Sequence, residues 1–221
     1  MKKFLCMLLA FTFCFVSTVP AFAASENQVS NKGEVVVDCD EYKVTAQHLD
    51  NQLIVIVEYT DRYEVTTRDY NRNTIVTEVF NYSGKLMDTY NTDVPDPNTP
   101  VSFDYYEHTF SNYEYDVDTS QRHESWTCRR ENDYKTKARL PGSVTEERLL
   151  HWKEKVDLIN ELEGDILVGA GATVINAIIS SVKKGQIGAA IALAGGGIKM
   201  GQTIQELYET FGTADVIFDK L

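Results

Sequence analysis

Histidine, cysteine and basic side chains are all in short supply in this chain. Its four histidines, His48, His108, His123 and His151, stand in no metal-binding or nucleophile-activating spacing, and neither G-x-S-x-G nor H-E-x-x-H occurs. No catalytic residue, metal ligand or cofactor is therefore assigned. A hydrolase using His108 or His123 is the minority reading. Lysine and arginine number 21 against 33 aspartates and glutamates. A surface so acidic repels phosphate backbones, which excludes nucleic acid as the expected partner. It also argues against docking on anionic lipid through overall charge. Of the five prolines, three are Pro95, Pro97 and Pro100, so Asp93 to Pro100 reads as a loop.

The first residues read as a secretory signal. Lys2 and Lys3 precede an apolar run from Phe4 to Val16, Pro20 breaks it, and Ala21-Phe22-Ala23 offers a cleavage site. The run is shorter than the roughly 20 residues of a membrane span. Cleavage near Ala23 would leave 198 residues with 19 basic and 33 acidic side chains, a net charge of −14, and a secreted chain. Cys6 and Cys14 leave with the signal. Cys39 and Cys128 remain, an even pair that reads as one disulfide outside the cell. Closing a loop of about 90 residues would restrict the unfolded chain by roughly 4 to 5 kcal/mol. Two cysteines without matching histidines do not make a zinc site.

From about Glu34 to Cys128 apolar and polar residues alternate as in strands. Leu53–Val57, Tyr63–Thr67 and Thr74–Phe80 are rich in β-branched and aromatic residues. Asp50-Asn51, Tyr70–Asn73 and Ser83-Gly84 supply turns, the last a two-residue hairpin. Further strands are expected over Val101–Phe110, Tyr113–Asp118 and Arg122–Cys128. Glu114, Asp116 and Asp118 point to one face of one strand, a solvated face rather than a calcium loop. Residues 24–140 thus read as an antiparallel β-domain, sandwich or meander.

Pro141-Gly142 marks a change of period, and residues 141–221 read as a helical domain, making the class α+β. Ser143 and Glu146 form a capping box ahead of Leu149, Trp152, Val156 and Ile159 at helical spacing. Gly164 is expected to end that helix. Nine of the thirteen glycines then fall from Gly164 to Gly201, a stretch that reads DILVGAGATVINAIISSVKKGQIGAAIALAGGGIKMG from Asp165 onward. Ile166 to Val182 carries no charge; Leu167, Val168, Val174, Ile175, Ile178, Ile179 and Val182 share one helical face, and small residues form the other. A small-residue face lets a second helix approach closely. Lys183-Lys184-Gly185 turns the chain into a second apolar helix with Ile187 and Ile191, and Gly195-Gly196-Gly197 breaks it before Ile198. A final helix from Thr203 buries Ile204, Leu207, Tyr208 and Phe211.

An Asp165–Val182 helix would be about 27 Å long, near a hydrocarbon core of about 30 Å, but its partner arm reaches only about 20 Å. The hairpin reads either as a buried core element or as a segment that meets a membrane. With the signal, the acidic tyrosine-rich strands and this glycine-rich tail, the chain resembles the geobacillin-26 family, large secreted bacteriocin-type proteins of Gram-positive bacteria. The resemblance lies in layout across the mature chain and is strongest from Asp165 to Gly201. It implies a secreted, non-enzymatic antibacterial protein acting at a target-cell membrane or envelope component through its hairpin. The alternative is an extracellular binding or structural protein whose hairpin is only core.

Overall fold

The computed structural model describes residues 33–96, 110–120 and 122–221. The expected signal at 1–23, residues 101–109 of the strand expected over Val101–Phe110, and with them His108, lie outside the described residues. The class is α+β as expected: strands come first and helices follow.

Six strands form one antiparallel meander in sequence order: β1 Glu34–Asp38, β2 Tyr42–Leu49, β3 Gln52–Tyr59, β4 Arg62–Asp69, β5 Thr74–Asn81 and β6 Leu86–Thr92. Asp50-Asn51 makes the β2–β3 turn, and Ser83-Gly84 lies within the wider turn between β5 and β6. Two-residue turns fix the register because side chains alternate across a strand. Leu53, Val55 and Val57 face the core, beside Val44 and Ala46 of β2. The outer face carries Tyr63 stacked on Phe80 at 5.2 Å between centroids.

Three more strands, β7 Tyr113–Asp118, β8 Ser125–Arg130 and β9 Asp133–Ala138, make a separate sheet. The last of these has little apolar content and was not expected as a strand; its cross-strand partners on β8 hold it. Among the described residues the strands therefore form two sheets.

Four helices follow: α1 Val144–Ala170, α2 Ile175–Lys183, α3 Ile187–Leu193 and α4 Ile198–Lys220. Ser143 caps α1 by accepting from the Glu146 N–H at 3.1 Å, while the Glu146 carboxylate reaches one residue further back, to the Gly142 N–H at 2.6 Å. Gly164 does not end α1. Leu162, Glu163 and Ile166 around it are buried, and that packing outweighs a glycine's cost of about 1 kcal/mol. The helix ends at Gly171, whose φ of 93° is disfavoured for other residues. The continuous Asp165–Val182 helix is thereby corrected to two separate pieces. Likewise α4 begins five residues before Thr203.

Helices α1 and α4 pack along one another, and both meet the small sheet through aromatics. Tyr113 lies 5.9 Å from Trp152 and 5.1 Å from Phe211, and Trp152 lies 5.3 Å from Phe218. The Trp152 indole donates to the Glu114 carbonyl at 3.0 Å. Helix α3 lies on β3, β4 and β5, and α4 on β1, so strands and helices share one continuous core.

Candidate functional site

The apolar hairpin is the feature on which the sequence reading turned, and its surroundings define the candidate site. Ile175, Ile178, Ile179 and Val182 of α2 and Ile187 and Ile191 of α3 are at most 3% exposed. Leu167 and Val174 are half-buried, and Ile198, first residue of α4, is 39% exposed. Val168, expected on the bulky face, is instead 88% exposed on α1. Among the described residues no helix is long and apolar enough to cross a membrane.

The seat of α3 is unusual in one respect. The side chains that β4 turns inward are Glu64, Thr66 and Arg68, all polar, with Glu64 and Thr66 buried. They alternate with Tyr63, Val65 and Thr67, which face the other way. Each inward group has a partner. The Thr66 and Thr77 hydroxyls share a hydrogen bond of 2.8 Å. Glu64 accepts from Tyr90 at 3.3 Å and pairs with Arg62 at 3.6 Å. Burial raises the Glu64 carboxyl above the usual range, opposed by those two neighbours. Arg68 donates to the Ala192 and Leu193 carbonyls at 2.7 and 3.0 Å, capping the C-terminus of α3.

Small residues permit this contact. A β-carbon at Gly188 would stand 2.6 Å from the Thr66 hydroxyl oxygen, so only glycine brings the α3 backbone onto β4 at this distance. Gly201 does the same for α4 against Val36 of β1. The small face of Ile166–Val182 was expected to serve helix–helix approach; Gly188 and Gly201, outside that stretch, serve helix–strand approach.

At the far end of α2, Lys183 donates to the Ser111 carbonyl at 2.5 Å and pairs with Glu131 at 2.7 Å. Ser111 is held again from α1. The Phe110 and Ser111 N–H groups donate to the two oxygens of Glu163, at 2.7 and 3.0 Å. Glu163 is 1% exposed, and burial pushes its carboxyl up to about 7 against the pull of those donors and of Lys183.

Beside Lys183 opens a cavity of about 650 Å³ lined by Tyr113, Phe211, Glu41, Glu131, Glu209 and Asp215 among others. Much of its charge is already paired: Asp215 accepts from Tyr113 at 2.9 Å and Arg130 at 3.3 Å. The aromatic wall is already faced by a cation, the Lys183 ammonium, 5.2 Å from the Tyr113 ring centroid and 5.8 Å from that of Phe211.

The remaining sequence candidates do not converge. Cys39 and Cys128 are free thiols, unbridged in this structure. Cys39 follows β1 of the meander and donates to the Tyr42 carbonyl at 3.2 Å, whereas Cys128 is buried on β8 of the other sheet. Burial pushes the Cys128 thiol up to about 12. His123 and His151 are exposed, and Glu114 pairs with Arg129 at 3.4 Å. Among the described residues no cluster of three or more His, Cys, Asp or Glu could hold a metal ion. Arg68, Thr66 and Glu163 are the residues that sequence reasoning missed. The two-residue turn between Tyr59 and Arg62 was the available signal, because it sets Val57 opposite Glu64. No family model, curated protein or solved structure matches this chain.

Proposed function

We propose that this chain is a secreted, non-enzymatic antibacterial protein of bacteriocin type that acts at the envelope of a target cell through the α2–α3 hairpin. Support comes from the signal-like first residues and from the layout that resembles the geobacillin-26 family. The observation that carries it is the seat of the hairpin. Helix α3 is wholly apolar, is joined to the apolar-faced α2, and lies over β3, β4 and β5, of which β4 alone turns only polar side chains toward it.

The test is growth inhibition. Purified protein is spotted on lawns of related Gram-positive strains, beside a heat-unfolded and aggregated sample. Cleared zones from the native protein alone support the reading. No clearing across a broad panel overturns it.

A second reading, an extracellular binding protein whose hairpin is only core, is favoured by the near-complete burial of Ile175, Ile178, Ile187 and Ile191 and by the aromatic, carboxylate-lined cavity. It takes the lead if lawns are unaffected and the protein retains a cationic ligand on a column.

A further inference from the structure

The six-stranded sheet has two edges, and they are finished differently. Helix α4 packs against β1 at one of them. Among the described residues β6 ends the sheet at the other. Leu86, Met87, Asp88, Thr89 and Asn91 along it are exposed, the first two by 48% and 60%. Neither lysine nor proline, which blunt open edges, stands within Leu86–Thr92. A bulge opposite Val79 and Phe80 bends only the first residues of the strand. Successive pairs in an antiparallel ladder alternate between bonded and unbonded, so each residue turns its N–H and C=O toward one neighbouring strand. The Tyr70 N–H donates to the Asn51 carbonyl at 3.0 Å, and that alternation, carried through the registers of β3 to β6, turns Thr89 and Asn91 away from β5. Their backbone groups form a template for a further strand.

We infer that two copies of this chain pair antiparallel through β6, joining their sheets across a two-fold axis at Thr89. The charges that flank the strand select its own copy as the partner. Lys85 stands immediately before β6 and Asp93 immediately after it, each four residues from Thr89. Both are exposed, and neither is in an ion pair with a described residue. An antiparallel copy brings each lysine beside the partner's Asp93, and the two-fold axis makes that match twice. A foreign strand has no reason to carry both charges at that spacing. Asp88, the one charge within β6, falls opposite the partner's Tyr90 and not opposite its own copy, so no like charges meet across the pair. Leu86 and Met87 lose exposure at each end as the partner's Asn91 and Thr92 come alongside. This pairing is independent of the antibacterial reading.

The test is a charge swap read by sedimentation velocity over a series of micromolar concentrations. The parent should sediment as a dimer that dissociates on dilution. Lys85→Asp and Asp93→Lys each set like charges together at both ends, and each alone should weaken dimerisation tenfold or more. An equal mixture of the two variants restores opposite charges at both ends and should dimerise as the parent does. Both positions are exposed, so the far-ultraviolet circular dichroism of the variants should match the parent's. A parent that is monomeric at every concentration overturns the inference. So do single variants that dimerise as tightly as the parent, which place the interface elsewhere, and a mixture that stays monomeric. A monomeric parent that binds a peptide of the Leu86–Thr92 sequence would give the edge to a foreign strand, against a second copy.

Discussion

Gly188 of α3 lies directly on Thr66 of β4, with its missing β-carbon 2.6 Å from the threonine oxygen and 3.3 Å from a methyl group of Val57. Gly188→Ala would gain up to about 1 kcal/mol in helix propensity but must displace both neighbours. Overpacking of this kind costs about 1–3 kcal/mol, so a net loss is expected in urea unfolding. Thr66→Ala in the same chain should recover part of it, and a double-mutant cycle would show coupling between the two sites.

Arg68 contributes two charge-assisted bonds to the last carbonyls of α3. Replacement by methionine keeps most of the stem and removes the donors. The expected cost is about 1.5–3 kcal/mol, and the Ile191–Gly195 amides should exchange with deuterium faster than those of α1.

Glu163 gives the fold a pH dependence of definite sign. Its folded-state pKa is pushed up to about 7, above the ordinary 4.5. Between those values the folded chain holds a proton that the unfolded chain has lost, so this group's contribution to stability falls as pH rises. Below about 4.5 the contribution is independent of pH, and above about 7 the full penalty of burying the charge is present. Unfolding curves of the parent and of Glu163→Gln, taken from pH 4.5 to 8, should differ in slope, with the variant flatter. Parallel curves would show that Glu163 is ionised throughout.

The two cysteines should behave differently toward thiol reagents. Cys39 is half-buried and should label in the native protein, whereas Cys128, buried and with its thiol pushed up to about 12, should label only after unfolding. Intact mass before and after reduction should be identical. A difference of two hydrogens would instead reveal a bridge.

Much of the fold was legible in local pattern. Tyr113–Asp118 emerged as β7 with the expected bounds, and the turns at Asp50-Asn51 and Tyr70–Asn73 fall where polar residues interrupt the alternation. Helix α1 was foreseen from its cap and its apolar stripe. Its end was not, because burial around Gly164 is a tertiary effect and Gly171 is ordinary in sequence until its φ is known. The candidate site was harder still. In β4 the alternation suggests that Tyr63 and Val65 face the core, but pairing with β3 turns Glu64, Thr66 and Arg68 inward. Only a register fixed by neighbouring strands reveals that inversion. Glu163 was equally hidden, since a glutamate on an amphipathic helix reads as solvated until Phe110 and Ser111 are placed against it.

The meander has a consequence for the order of manufacture. Each strand of β1–β6 pairs with its neighbour in sequence, so the platform is made of local contacts, which form quickly. A chain made from its first residue onward would complete this platform before α2 and α3 are available. The apolar helix α3 would then appear beside a sheet whose Leu53, Val55 and Val57 are already in place to cover it.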